Sequence, residues 1–340
     1  MKNEKESEKS ISQNKNIVPN DKSHKIIFQH NKLIEAHYNL TLQEKRILVW
    51  SLSKITSKDS ELNPISISVQ DFCSVIGISE SSAYSEIKKI TMRLRNRGMT
   101  ITNLDQKTQT QVGWLDYVKY REKEGIVEIQ FHRFLSSFLL ELKSNFTAIP
   151  MSQTLGLSSI YAIRIFELLK QYEKIGEREI SLSDLRSFCG VSDNKLKDYN
   201  DIKTKVLKIA QRELEAKTDI VFIFEEIKKS RKVVSINFII QTNLNFKKKE
   251  TEEKKKLKRV IEESKLGIQK KLLELGFSKS TTYKFFDQNE ESRISKALSV
   301  VLDQVQKGQA LNPKAFFRAA LKEKWSTEIY TSKKKKMILV

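Results

Sequence analysis

The chain has 340 residues, and its 62 lysines plus arginines outnumber its 42 aspartates plus glutamates, which gives a formal net charge of +20. This balance favours a polyanionic partner, either nucleic acid or an acidic membrane surface, although lysine-rich and isoleucine-rich usage is also typical of an AT-rich genome. Its apolar runs are shorter than the roughly 20 residues of a membrane span, and its start lacks the apolar core of a secretory signal. We therefore expect a cytoplasmic protein of two or three domains.

The first part of the chain predicts a tail, a strand and a helix. Residues 1–25 are polar and poor in large apolar groups, which is typical of disorder. Residues 26–28 have the composition of a strand, and residues 40–55 have the apolar spacing of an amphipathic helix. Thr41 and Glu44 at its start have the spacing of a capping box.

Residues 65–97 then predict a helix, a turn at Gly77 and a second, basic helix over residues 82–97. The candidate DNA-binding cations of this helix are Lys88, Lys89, Arg93 and Arg95. Residues 99–131 have the composition of several strands, with a hairpin turn at Glu124 and Gly125. Residues 131–145 are predicted to be helical.

Residues 180–214 have the same order of short helix, turn and longer basic helix. Gly190 can end the first helix in a left-handed turn, and the apolar residues of the second recur on one helical face. The candidate DNA contacts are Asn200, Thr204, Lys205 and Lys208 on its polar side and Lys203 at the edge of its buried face. A helical hairpin with a solvated charged face is the alternative interpretation of these two helices taken alone.

The residues after these two helices favour the DNA-binding interpretation. Residues 221–224 and 233–239 are rich in β-branched and aromatic residues, which suit two strands of a hairpin. The cations of the tip between them are Lys228, Lys229, Arg231 and Lys232. A helix, a turn, a basic helix and a cationic hairpin are typical of a winged helix, in which the helix enters a major groove and the wing reaches the flanking phosphates.

The two halves of this region align with each other. With Gly77 placed over Gly190, six identical residues coincide between residues 67–79 and 180–192. Two further matches keep the same order, residues 46–47 with 164–165 and residues 84–88 with 199–203. Three matches in one order indicate two copies of a module. The predicted fold class is α+β, with two tandem winged-helix domains followed by a small helical C-terminal region.

The domain boundaries follow from these segments. Module one spans residues 26–148 and module two spans residues 149–246, and we expect the two to pack against each other because no long flexible linker separates them. Residues 247–265 are a charge run, predicted to be a linker or the exposed start of a helix. Residues 266–328 are predicted to form the small helical region, with one helix near residues 290–305 and another starting at Asn312 and Pro313. Residues 329–340 are a basic tail.

The sequence lacks the motifs of several enzyme classes. It has no phosphate-cradling G-x-x-x-x-G-K-[ST] loop, and its four histidines (His24, His30, His37 and His132) are too scattered to hold the metal of a rolling-circle nicking enzyme. Cys73 and Cys189 lie in apolar stretches, and we expect both to be small core residues rather than a disulfide or metal pair. We therefore predict a DNA-binding protein without enzymatic activity, metal or cofactor.

The order of these segments resembles the Rep_3 family of plasmid replication initiators. The similar residues near the start are Asn31, Leu33, Ile34, Glu35 and Ala36, followed by Leu42, Arg46, Ile47 and Leu48. Further similar segments are residues 146–147, the helix at 161–169, the start of the second basic helix at 201–207 and the hairpin at 228–238. The resemblance covers residues 26–246 and rests on many weak motifs in a fixed order.

This resemblance implies a protein that binds directly repeated sites (iterons) in double-stranded DNA at a plasmid origin as a monomer. It also implies that a dimer, in equilibrium with the monomer, represses the protein's own promoter on an inverted repeat, and that host replication proteins such as an initiator and a helicase are partners. By the same resemblance, module two supplies most base contacts, and module one contributes DNA contacts in the monomer and the pairing surface of the dimer. Thr204 departs from the family's more uniformly basic pattern.

Three alternatives stay open at this point. A dedicated transcriptional repressor without a replication role would carry the same motifs. A rolling-circle nicking endonuclease is disfavoured by the scattered histidines. A membrane-surface protein that uses its lysine-rich tails would leave the duplicated helix and hairpin pattern unexplained.

Overall fold

A computed structural model describes residues 25–56, 59–79, 83–103, 107–140, 145–192, 194–310, 312–326 and 330. The predicted disordered tail before residue 25 and the basic tail from residue 331 therefore lie outside the described residues. The chain divides into two compact units, Met1–Lys247 and Lys248–Val340. The first unit contains both predicted modules, each with its own hydrophobic core.

Module one begins with a strand and two helices and then alternates helices and hairpins. Its elements are β1 (Ile26–His30), α1 (Asn31–Ile34), α2 (Leu42–Leu52), β2 (Ile65–Ser68), α3 (Val69–Ile76), α4 (Ala83–Arg95), β3 (Gly98–Asn103), β4 (Thr108–Gly113), β5 (Leu115–Arg121), β6 (Ile126–Phe131) and α5 (Ser136–Leu139). The predicted capping box is present, because the Thr41 hydroxyl accepts from the Glu44 N–H and the Glu44 carboxylate accepts from the Thr41 N–H.

Module two has the same plan with fewer strands. Its elements are β7 (Phe146–Pro150), α6 (Met151–Gly156), α7 (Ile160–Lys170), β8 (Glu177–Ser181), α8 (Leu182–Phe188), α9 (Tyr199–Ile202), α10 (Lys208–Lys217), β9 (Ile220–Lys229) and β10 (Lys232–Thr242). A π-helical segment, Lys203–Leu207, joins α9 to α10, so the predicted second helix is continuous but locally widened.

The sheets confirm the duplication. In module one the strand order is β2-β6-β5, and in module two it is β8-β10-β9, both antiparallel. Each sheet therefore pairs the strand before the helix-turn-helix with the hairpin after it, which is the winged-helix arrangement. Module one carries one insertion, the two-stranded hairpin β3-β4 between its basic helix and its wing.

The two modules pack against each other, as the absence of a linker predicted. Strand β1 at the start of module one pairs with β7, which crosses the predicted boundary at residues 148–149 and leads into module two. Gly190 has a φ of 64°, and a Cβ at this residue would overlap the carbonyl oxygen of Tyr38. Glycine is thus required at this turn both by its left-handed backbone and by the close approach of module one.

A buried charged network crosses the same boundary. The Lys45 ammonium of α2 lies 2.7 Å from the Glu167 carboxylate of α7, and both side chains are at most 1 % exposed. The Arg164 guanidinium lies 3.1 Å from the other oxygen of Glu167 and donates to the carbonyl oxygens of Ile34 and Ala36. Lys45 and Arg164 each also donate to the Tyr38 hydroxyl. These partners compensate charges that would otherwise be costly to bury.

One prediction about module one needs correction, and the prediction about the two cysteines is confirmed. Residues 131–145 are not one helix, because β6 extends to Phe131 and only a 3-10 turn (Arg133–Leu135) and the short α5 follow; residues 141–144 lie outside the described part. The reason is that Phe131 pairs with Leu115 in the sheet. Cys73 and Cys189 are both buried and are not joined in a disulfide, as predicted, and burial raises the pKa of Cys189 to about 12.

The second unit is a helical bundle. Its helices are α11 (Leu244–Glu274), which begins in the first unit, α12 (Lys279–Gln288), α13 (Glu291–Gln306) and α14 (Pro313–Lys322). The charge run at residues 247–265 is therefore helical rather than an extended linker, which fits its helix-favouring lysines and glutamates and the Glu250–Lys254 pair one turn apart. The helix near residue 290 and the Asn312 cap are confirmed, whereas α12 was not predicted.

Candidate DNA-binding surface

The helix from α9 through α10 separates a buried apolar side from an exposed polar side. Ile202, Val206 and Ala210 are at most 1 % exposed and belong to the module-two core, together with Phe222 and Phe238 of the sheet. The predicted contacts Asn200, Thr204, Lys205 and Lys208 are all exposed. Lys203 lies at the edge of the buried side, with its side chain 35 % exposed. The helix thus presents a polar, cationic side away from its core.

Arg186, which the sequence did not point to, holds the turn before this helix. The preceding helix α8 is capped by Ser181, whose hydroxyl accepts from the Asp184 N–H. The Arg186 guanidinium then donates to the carbonyl oxygens of Lys195 and Leu196 in the turn. Because guanidinium has five donors in one plane, it can hold several carbonyl groups of a loop at once. Arg186 therefore fixes the geometry that positions the following helix.

The π-helical segment affects the predicted contacts directly. It begins at Lys203 and includes Thr204 and Lys205. The Thr204 hydroxyl donates to the carbonyl oxygen of Asn200 at 2.8 Å, so its hydrogen is used within the helix. The Lys205 ammonium lies 2.6 Å from Asp201, one turn away. The wider turn therefore changes the angular spacing of the three candidate side chains relative to a regular α-helix.

The wing of module two ends in a cationic tip. Ser230 has a φ of 59° between the paired residues Lys229 and Lys232. All four predicted tip cations, Lys228, Lys229, Arg231 and Lys232, are exposed. Among the described residues, Lys228 alone of these four has an acidic group within 4 Å, namely Glu226 at 3.5 Å. The tip is therefore available to phosphate groups.

Glu226 is a second residue of this surface that the sequence did not point to. Its carboxylate accepts hydrogen bonds from the Tyr199 hydroxyl at 2.9 Å and from the Lys203 ammonium at 2.7 Å. These bonds lower the pKa of Glu226, and burial together with the bond to Glu226 raises the pKa of Tyr199. Both effects keep the carboxylate ionised and the phenol protonated at neutral pH. The helix and the wing are thus joined by one carboxylate.

In module one, most candidate cations already have acidic partners. The Lys88 ammonium lies 2.7 Å from Glu122, and this hydrogen bond raises the pKa of Lys88. Lys89 lies 2.9 Å from Glu86. The Arg93 guanidinium lies 3.3 Å from the buried carboxylate of Glu44 in α2. Arg95 is exposed and, among the described residues, has no acidic group within 4 Å.

Comparison with protein-family models gives two matches. The model of the initiator replication protein WH1 domain matches residues 26–170, and the model of the initiator Rep protein WH2 domain matches residues 181–240. This chain belongs to the family of initiator replication proteins. The WH1 match covers module one and continues through β7, α6 and α7, so its boundary lies after the predicted one at residues 148–149. The WH2 match covers the helix-turn-helix and the wing of module two, and the matched residues end before the helical bundle of the second unit.

Several relatives of this initiator protein are known. The PI protein of Escherichia coli is 24% identical over 247 residues, which cover 62% of this chain and 81% of the relative. A replication initiation protein of Escherichia coli is 23% identical over 198 residues, which cover 56% of this chain and 61% of the relative. The crystal structure of Pi initiator protein in complex with iteron DNA is similar in fold, with a TM-score of 0.54 and 21% identity over 65% of this chain and 99% of that one.

Two general features of the described residues bear on other classes of function. No group of three or more histidine, cysteine, aspartate or glutamate side chains in the described part of the chain is placed to hold a metal ion. The helices in the same part are each too short or too polar to cross a bilayer.

Proposed function

We propose that this chain is a plasmid replication initiator that binds directly repeated double-stranded sites (iterons) at its origin as a monomer. The observation that carries this proposal is the pair of winged helices that both family models match. A similar fold has been crystallised as Pi initiator protein with iteron DNA, which supports DNA repeats as the ligand. The formal charge of +20 also suits a polyanion.

Within this proposal, module two supplies sequence recognition. Asn200, Thr204, Lys205 and Lys208 would face base edges in a major groove, because they line the exposed side of its helix. Lys203 would reach the groove from the edge of the buried side through its long stem. Lys228, Lys229, Arg231 and Lys232 would contact flanking phosphates, which position the protein without reading sequence. The cationic, exposed tip of the wing supports this division of labour.

Module one has a smaller part in DNA binding. Lys88, Lys89, Arg93 and Arg95 would add contacts to an adjacent groove. Their part is smaller because Lys88, Lys89 and Arg93 each already have an acidic partner within 4 Å. We also propose that module one contains the pairing surface of a dimer, which represses the protein's own promoter. Initiation then needs no chemical step on this chain, since strand opening follows from binding energy and from recruited host proteins in the bacterial cytoplasm.

Footprinting tests the proposal. The purified chain is bound at physiological salt to the DNA that flanks its own gene. Regularly spaced direct repeats protected on one helical face are expected. A single protected inverted repeat over the promoter would favour a dedicated repressor, and diffuse, salt-sensitive protection would mean that charge alone drives binding. Metal-dependent cleavage of a supercoiled origin plasmid would contradict the absence of enzymatic activity.

A further inference from the structure

One carboxylate in module two joins the basic helix to the wing. Tyr199 and Lys203 are one helical turn apart, and the hydroxyl of the first and the ammonium of the second both bind the same oxygen of Glu226, at 2.9 and 2.7 Å. The Glu226 side chain is 21 % exposed and extends from β9 toward the helix. Lys203 is itself a candidate DNA contact, and Tyr199 is next to the candidate Asn200 in the chain.

Module one repeats this arrangement. Tyr84 and Lys88 align with Tyr199 and Lys203 in the duplicated sequence. The Lys88 ammonium lies 2.7 Å from the carboxylate of Glu122, and the Tyr84 hydroxyl donates to the backbone carbonyl of Glu122 at 3.1 Å. Glu122 follows β5, the strand that corresponds to β9. A tyrosine and a lysine one turn apart therefore meet a wing glutamate in both modules.

A carboxylate at this position has two physical consequences for a DNA-binding surface. It repels phosphate oxygens, so it opposes any duplex that approaches without a compensating contact. It also occupies one donor of the lysine and limits the freedom of its long, flexible stem. An unrestrained lysine binds the phosphates of every sequence alike and so adds affinity without discrimination.

We propose that Glu226, and to a smaller degree Glu122, determine how strongly this protein discriminates its repeated site from other DNA, by restraining Lys203 and Lys88. The inference rests on the proposed function as a binder of iterons. Discrimination needs elements that penalise the wrong partner as well as contacts that reward the right one, and the wing glutamates are such elements. On the correct site, Lys203 exchanges part of its bond to Glu226 for a base edge.

The two glutamates differ in strength for a physical reason. The side chains of Lys203 and Glu226 are 35 % and 21 % exposed, whereas those of Lys88 and Glu122 are 49 % and 62 % exposed. Solvent and salt screen the second pair more effectively. The effect of removing the carboxylate should therefore be larger in module two.

The test compares Glu226→Gln with Glu225→Gln in the full chain. Glu225 is the matched control, because it is the neighbouring residue on β9, is exposed, and lies on the opposite face of the strand. Affinity is measured across a salt series for one footprinted repeat and for a random duplex of equal length. Circular dichroism and thermal melting confirm that each variant is folded.

For E226Q we expect about fivefold tighter binding to the random duplex, the scale of an exposed ion pair. Its salt dependence should be steeper by about one unit, because Lys203 gains a phosphate. The ratio of specific to random affinity should fall by about the same fivefold factor. E225Q should leave that ratio unchanged, and E122Q should lower it less than E226Q does.

Two results would overturn the inference. The first is an equal shift in E226Q and E225Q, which would mean that only net charge matters. The second is an unchanged affinity ratio in E226Q. A third result concerns the proposed function alone: if the natural chain binds the repeat no more tightly than the random duplex, iteron binding fails. In that case the comparison of E226Q with E225Q on the random duplex still decides whether Glu226 restrains Lys203.

Discussion

The wings of the two modules share one fold and differ in charge. The tip of the module-two wing has four cations, Lys228, Lys229, Arg231 and Lys232, all exposed. The corresponding turn of module one, residues 121–124, has two cations and two acids, and Arg121 is bound to Glu124 and Glu128. A phosphate backbone would be attracted to the first tip and not to the second. The two modules thus share a winged-helix fold and differ in surface charge, and the module-two tip is the one with an excess of exposed cations.

The first prediction tests what the modules share, which is the buried network at their boundary. Glu167→Ala removes the carboxylate that compensates both Lys45 and Arg164 and leaves two buried cations without it. We expect the free energy of unfolding to fall by about 3–5 kcal/mol, as for other broken buried ion pairs. Urea denaturation measures this loss.

The matched control for Glu167 is an exposed pair in module one. Glu86→Ala removes the partner of Lys89, whose side chain is 63 % exposed, and should cost at most about 1 kcal/mol. Similar losses in the two variants would mean that the boundary network contributes no more than a surface pair.

The second prediction sharpens the comparison of the two helices. Lys203→Ala should weaken binding to the specific repeat by about 1–3 kcal/mol if this lysine contacts a base edge. Lys88→Ala, the aligned change in module one, should cost less, because Lys88 is more exposed and its wing is not cationic. Fluorescence anisotropy on one repeat gives both values. A larger loss for Lys88→Ala would assign sequence recognition to module one.

Local signals in the sequence predicted much of this architecture. The helix α8 begins at the cap provided by Ser181 and is followed by a left-handed turn at Gly190. Both signals act within a few residues of the chain. The β-branched and aromatic composition of β9 and β10 likewise predicted a hairpin, which extends further than expected because Lys228 and Lys229 still pair across it. Local hydrogen bonding and periodicity decide such elements, so one sequence suffices to find them.

The missed features depend on contacts between distant residues or on small backbone changes. Glu226 reaches Lys203 across 23 positions, and no spacing rule connects a strand residue to a helix residue at that separation. Arg164 was predicted only as part of a helix, since its burial depends on carbonyl groups of module one. The π-helical segment is a local change of backbone hydrogen bonding over five residues, which no residue type or spacing in the sequence indicated. The DNA-binding roles of the predicted cations stay predictions.

The third prediction separates the wing from the helix in module two. Lys229→Ala combined with Arg231→Ala should weaken the specific and the random duplex by the same factor, because both residues are exposed at the tip and phosphates are common to all sequences. The slope of log affinity against log salt should become shallower by about one unit per lost phosphate contact. A loss confined to the specific repeat would show instead that the wing reads bases.

The last and smallest expected effect is in the wing of module one. Lys123 is exposed at the tip between Glu122 and Glu124, and residues 121–124 together have no net charge. Lys123→Ala should therefore change neither the affinity for the two duplexes nor the salt slope beyond the error of the measurement. A slope shallower by about one unit would place a phosphate at this tip. That result would contradict the expected difference between the two wings, because the neutral tip of module one would then bind DNA as the cationic tip of module two is expected to do.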